Sequence, residues 1–264
     1  MPDTSAPTVS AASAAQIAPA RVGSALRVLA WLNFVGNVLI IATGGAVRLT
    51  GSGLGCPTWP LCTPDSLVPT PALVDESIHS LIEYGNRMMS PLLGILALVL
   101  LILVWRVRAQ RRDLFVLAWI VMAGIIAQAV VGGITVLTGL NPFIVGFHYI
   151  ASLVLVCVTA AIIVRLDATP GPRALVVPRW YVVTTHVATL ALAVSVFFGV
   201  LTTGAGPHSG DPSVGRSGFD ATVLEHVHAW PGYALLALTV VLAAVAWVRR
   251  LPVRGWVTLL LAAE

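Results

Sequence analysis

The sequence has no lysine. All fifteen of its basic residues are arginine, a usage expected of a GC-rich genome such as an actinobacterium's. Charge of either sign is scarce: only 10% of the 264 residues are Asp, Glu, Lys or Arg, against about a quarter in an ordinary soluble domain. A soluble surface is therefore excluded. The first twenty residues, MPDTSAPTVSAASAAQIAPA, lack the basic start and apolar stretch of a cleaved signal peptide. They are small, polar and proline-bearing, and are expected to be disordered, with residues 1–24 forming a cytoplasmic N-terminus.

What the chain has in quantity is apolar residues, 58% of the total, with a mean hydropathy of +0.92. Several runs reach the roughly 20 apolar residues that span a bilayer. They predict crossings at 25–47, 77–105, 113–139, 143–164, 180–203 and 222–248. A seventh helix begins near Gly255, but ten residues at about 1.5 Å each cover about 15 Å, half a membrane. The net charge of +4 reflects topology and does not point to nucleic acid. Arg21 and Arg27 precede the first span; Arg106, Arg108, Arg111 and Arg112 follow the second. Arg165, Arg173 and Arg179 lie between the fourth and fifth, and Arg249, Arg250 and Arg254 follow the sixth. All twelve fall on one side, with Arg48 and Arg216 opposite, so the positive-inside rule predicts a cytoplasmic N-terminus.

Two long loops on the other side resemble each other. Thr50-Gly51-Ser52-Gly53 matches Thr203-Gly204-Ala205-Gly206, and EYGN at 83–86 aligns with EHVH at 225–228, each pair at the same helix end. The chain reads as two tandem four-helix bundle repeats in an all-α integral membrane protein, the second cut short. The halves are 25–165 and 166–264.

The second span opens with groups that lipid penalises. His79, Glu83, Asn86 and Ser90 are spaced i, i+4, i+7 and i+11, one helical face. Ionisable groups within a span usually face the bundle interior and serve function. The bland alternative, a headgroup position, suits His79 and weakens toward Glu83 and Arg87, which are i, i+4 and able to neutralise each other. His148 lies about two turns into the fourth span, at matching depth, and the sixth carries His226 and His228 at the equivalent place. A lone helical histidine is more often a packing residue. Facing imidazoles in a four-helix bundle, however, hold haem iron by donating a neutral lone pair. Haem ligation is the reading preferred here.

CPTWPLC holds Cys56 and Cys62 on the side where disulfides persist. A bridge would be worth roughly 2 kcal/mol as a staple; a redox pair that exchanges with other thiols fits the same spacing. The staple is favoured. Cys157, mid-span, reads as an inert buried thiol.

With these residues in view, the chain resembles the haem A synthase family. The resemblance rests on GGAVRLTGSGLGCPTWPLC (44–62), IEYGNR (82–87), AQAVVGGITVLTGLNPFIVGFH (127–148) and GAGPHSGD (204–211), in the family's order and each at the expected helix end. It implies a membrane oxidoreductase that converts the C8 methyl of haem O to a formyl group by successive hydroxylations, making haem A for cytochrome oxidase. By resemblance, Glu83 is the catalytic carboxylate, and His148 holds the iron of the substrate haem in the first half. His228, with His226 a weaker neighbour, holds the iron of a haem b cofactor in the second half. Cys56 and Cys62 match a pair that is usually a disulfide. Haem O synthase and cytochrome oxidase assembly factors are the implied partners, and the electron acceptor is open. A carboxylate beside the methyl would stabilise developing positive charge and take a proton from an incoming water.

Two departures from the family pattern matter. Asn86 stands where many members carry histidine, and asparagine is a poor ligand for haem iron. His79 shares its face but lies seven residues away, about 10.5 Å along the axis. The substrate haem is thus expected to be held mainly by His148, with His79 as second ligand and Asn86 alongside. The repeat also calls for a counterpart of His148 on an eighth helix, beyond Glu264. Two rival functions remain: a thiol oxidoreductase using Cys56 and Cys62, and a non-enzymatic haem-binding assembly protein.

Overall fold

A computed structural model describes residues 23–72, 78–168, 174–207 and 209–264. The expected disordered N-terminus lies outside the described residues except for its last two positions. Among the described residues the regular elements are helices: α1 (Ser24–Leu49), α2 (His79–Trp105), α3 (Arg112–Leu137), α4 (Pro142–Leu166), α5 (Arg179–Ala205), α6 (Ala221–Val248) and the short α7 (Arg254–Ala263). The first six are long and apolar enough to cross a membrane. The predicted spans and these helices agree to within two residues at every end.

The helix ends follow local chemistry. Asn141 accepts a hydrogen bond from the Phe143 N–H at 3.0 Å, and Pro142 occupies the first helical position, so α4 starts there. Asp220 caps α6 through the Thr222 and Val223 N–H groups. Gly51, at φ 67°, lets the chain leave α1 in a conformation other residues resist.

Burial is inverted relative to a soluble protein. Exposed positions are large and apolar, such as Trp31 and Leu39 on α1 or Ile95 and Ile102 on α2. Asn33, Asn37, Thr159 and Thr239 are buried between helices. Lipid solvates the apolar side chains, while buried polar groups find partners inside. Asn33 Nδ2 donates to the Leu29 carbonyl and, at 3.1 Å, to the Leu96 carbonyl on α2. Cys157 departs from expectation: it is exposed on α4. A weakly polar thiol can face acyl chains, so burial within the protein is not required of it.

The first four helices close a ring, each packing on its neighbours in sequence and α4 returning to α1. In the second half α5 packs on α6 and α6 on α7, with a thinner seam between α4 and α5. The apolar core of the ring, including Leu26, Leu100, Val104, Leu114, Val121 and Ile162, fills only the arginine-rich half. The smaller cluster of Tyr181, Ala188, Leu242 and Ala246 sits at the same end of α5 and α6. Arg27 and Asp167 pair at 2.7 Å there, and buried Arg111 donates to the Arg165 and Leu166 carbonyls that end α4. At the opposite end the two similar loops touch. The Gly53 N–H donates to the Gly210 carbonyl at 2.9 Å, and Arg48 donates to Thr203 Oγ1 at 3.1 Å.

Candidate functional site

Where the apolar cores stop, the helices carry glycine, histidine and the buried acid. Glu83 is 4% exposed on α2. Its Oε2 accepts from the Cys56 N–H at 2.6 Å, and its Oε1 accepts from Arg87 Nε at 3.0 Å and Nη2 at 2.5 Å. The i, i+4 neutralisation read from the sequence is present. Arg87 also donates to the carbonyls of Cys56, Thr58 and Leu61. Cys56 and Cys62 form a disulfide, both fully buried.

This loop reaches past α2. The Trp59 ring packs on Gly133 of α3 so closely that a Cβ there would lie 2.4 Å from it. Gly132, the preceding residue, faces the imidazole of His148, with a Cβ position 3.3 Å from Cε1. The disulfide loop thus stretches from the acid on α2 to the edge of the histidine cradle on α3.

His148 is held by its backbone. Gln128 Nε2 donates to the His148 carbonyl at 2.7 Å, and Ser152 Oγ donates to the same carbonyl at 2.9 Å. The ring is left alone: His148 Nδ1 is buried with no hydrogen-bond partner among the described residues. A buried polar nitrogen without a partner is costly in a protein interior, which marks this ring as one not placed for packing alone.

His228 on α6 is arranged differently. Its Nδ1 lies 2.8 Å from the Ser195 carbonyl on α5. A carbonyl only accepts, so Nδ1 carries the proton and the lone pair resides on Nε2, the tautomer of a metal-ligating histidine. Ser195 Oγ donates to the His228 carbonyl at 3.2 Å. The ring lies on Gly199, where a Cβ would come within 2.8 Å of Cε1. His226 is exposed, and its Nδ1 lies 2.7 Å from the Thr222 carbonyl of its own helix.

The shared face of α2 divides in two. His79 Nδ1 lies 2.7 Å from Ser52 Oγ, so His79 turns to the α1–α2 connection. Asn86 Oδ1 accepts from Thr43 Oγ1 on α1 at 2.7 Å. Residues that sequence reasoning passed over are Gln128, Ser152, Ser195 and the glycine cradles; the pair Gly132-Gly133 within an apolar run was the available signal. Two surface cavities of about 350 and 180 Å³ lie at the arginine-rich end and include none of these residues.

The donor set suits haem: His148 and His228 each lie on a glycine that leaves the ring room, with Nδ1 of His228 held by a carbonyl and Nδ1 of His148 without a partner among the described residues. The family model described as cytochrome oxidase assembly protein (COX15-CtaA) matches residues 27–208. The chain is 32% identical over 160 residues to a protein of Halalkalibacterium halodurans named heme A synthase, covering 59% of this chain and 52% of that protein. It is 31% identical over 180 residues to a heme A synthase of Listeria monocytogenes, covering 67% of this chain and 58% of that protein. A heme A synthase of Lysinibacillus sphaericus is 36% identical over 121 residues, 46% of this chain and 38% of that protein. The chain spans about half the length of the curated relatives it matches.

Proposed function

The chain belongs to the cytochrome oxidase assembly protein family, and from that premise we propose that it oxidises the C8 methyl group of haem O to the formyl group of haem A. The observation that carries this reading is the pairing of a buried acid with an imidazole on either side of one loop. Glu83 anchors the disulfide loop, and Trp59 in the middle of that loop packs on α3 beside the His148 cradle. The names of the relatives agree with it.

In this proposal His148 holds the substrate within the first half, residues 25–165. Gln128 and Ser152 fix its backbone, and Gly132 leaves space for the ring. Glu83 stabilises the positive charge that develops as the methyl carbon is oxidised and accepts a proton from the attacking water. The first oxidation exchanges a methyl hydrogen for hydroxyl and releases two electrons and two protons. A second, followed by loss of water, leaves the formyl group. His228 would hold a haem b in the second half, residues 166–264, and such a group, when bound, would supply one-electron redox chemistry. Asn86 is tied to Thr43, leaving His148 as the main holder of a substrate that must depart.

The loop and histidine ends face the outer side of the cell membrane and the N-terminus faces the cytoplasm, because the arginines cluster at the other helix ends. Haem O synthase is the natural supplier and the oxidase assembly machinery the natural recipient. The buried disulfide disfavours thiol exchange as the activity, since an exchanging sulfur must be reached by a partner's thiolate. The test is to supply the purified protein with haem O and an acceptor and to separate extracted pigments by chromatography. Formation of haem A is expected; bound haem with no conversion would leave the non-enzymatic carrier in its place.

A further inference from the structure

A guanidinium has five N–H donors in a planar fork. Every donor of Arg87 is used: Nε on Glu83 Oε1, Nη2 on Glu83 Oε1 and the Cys56 carbonyl, Nη1 on the Thr58 and Leu61 carbonyls. Three of its four partners belong to one short loop, the loop closed by the Cys56–Cys62 disulfide. The fourth, Glu83, takes the Cys56 N–H on its other oxygen. Acid, arginine and loop are therefore mutually bonded, with the side chains of Glu83 and Arg87 only 5% and 15% exposed.

We propose that Arg87 is a positioning residue that moulds the disulfide loop around Glu83, so that acid, loop and disulfide act as one unit. The part of this inference that concerns catalysis rests on the role proposed for Glu83; the latch itself does not. Neutralising Glu83 by itself would need one ion pair, which lysine could provide. The carbonyls of Cys56, Thr58 and Leu61 converge from different points of a turn, and only a fork can bind them together with a carboxylate. The disulfide shortens the loop, and Arg87 fills its centre. Each restrains the other, because a loop opened by reduction withdraws the carbonyls, and a missing guanidinium takes a donor from the part-buried Cys56 and Thr58 carbonyls, while the Leu61 carbonyl keeps Thr58 Oγ1. Through Trp59 on Gly133, the same loop borders the cradle of His148. Displacement of the latch would move both the acid and the wall next to the histidine.

Three variants of the full chain in detergent test the latch: Arg87→Gln, Arg87→Lys and Glu83→Gln. The first readout is the rate at which dithiothreitol opens the disulfide, followed by mass-shift labelling of Cys56 and Cys62. Arg87→Gln and Arg87→Lys are each expected to open about tenfold faster than wild type, since both lose the fork and local opening becomes easier. Glu83→Gln is expected to open faster by a smaller factor, keeping the Cys56 acceptor while losing the ion pair. The second readout is turnover of haem O. Arg87→Gln is expected to lower kcat about a hundredfold with KM within threefold, as misplaced catalytic groups do, and Arg87→Lys is expected to recover no more than a part of it. Wild-type opening rates in both Arg87 variants, or a raised KM with unchanged kcat, overturn the proposal. If wild type itself converts no haem O, the proposed function fails, and the opening rates still decide the latch.

Discussion

The two halves of the chain place an imidazole on a glycine at the same end of the molecule, yet they treat it differently. His228 is locked, with Nδ1 bound to the Ser195 carbonyl and the ring wedged on Gly199. His148 is anchored through its carbonyl and packs on Gly132, and among the described residues its Nδ1 is buried without a partner. The neighbours differ as well: the first half supplies a buried acid, an arginine and a disulfide loop, whereas the corresponding stretch of α6 has exposed Glu225 and His226. A ligand set in one tautomer suits a group that stays. A looser imidazole beside an acid suits one that is altered and released.

The largest effect expected from breaking this contrast is at the acid. Glu83→Ala should lower haem A formation by at least about a hundredfold while haem remains bound, as judged by pigment chromatography and the absorption spectrum. Normal haem A output from this variant would remove Glu83 from the chemistry. Next is the locked imidazole: if His228 holds a haem b as proposed, His228→Ala should abolish the haem b band outright and leave substrate haem binding in place. His148→Ala should do the converse, weakening capture of haem O about tenfold, or 1.4 kcal/mol, in a titration. Loss of both haems from either variant would mean that the halves are not separate sites.

Asn86→His would sharpen the comparison, because Asn86 aligns with His228 in the repeat. The variant should hold the substrate more tightly and release product more slowly, visible as a spectral change toward two-histidine ligation; an unchanged spectrum would place residue 86 away from the iron. Smallest is Gly199→Ala, whose methyl would meet the His228 ring at 2.8 Å. A cost of about 1–3 kcal/mol in thermal stability and a shifted haem b band are expected. A shift in the haem O band in its place would contradict the assignment of the halves.

Much of this was legible in the sequence. The six long helices follow from hydropathy, since each apolar run can satisfy its backbone in lipid only as a helix. Glu83, Arg87, His148 and His228 stood out because polar groups within such runs are costly. The cradles and the latch were not legible. Gly132 and Gly199 acquire meaning only from the ring that lies over them, and the three carbonyls bound by Arg87 belong to the backbone, which no residue letter reports. Cys157 was misjudged because burial in a bundle depends on which face meets lipid, and the apolar residues around Cys157 on the fourth span do not mark that face.

By itself the sequence determined the number of membrane-length helices, their ends, the side on which arginine gathers and the short roster of polar groups inside them. These are local consequences of hydropathy and helix geometry. The tertiary structure alone decided which of those groups meet: that Glu83 and Arg87 turn to the disulfide loop, that His79 joins Ser52, and that His228 finds the Ser195 carbonyl. Those pairings depend on how neighbouring helices rotate and how a loop returns over them, and such long-range geometry is set by packing, not by the spacing of residues along the chain.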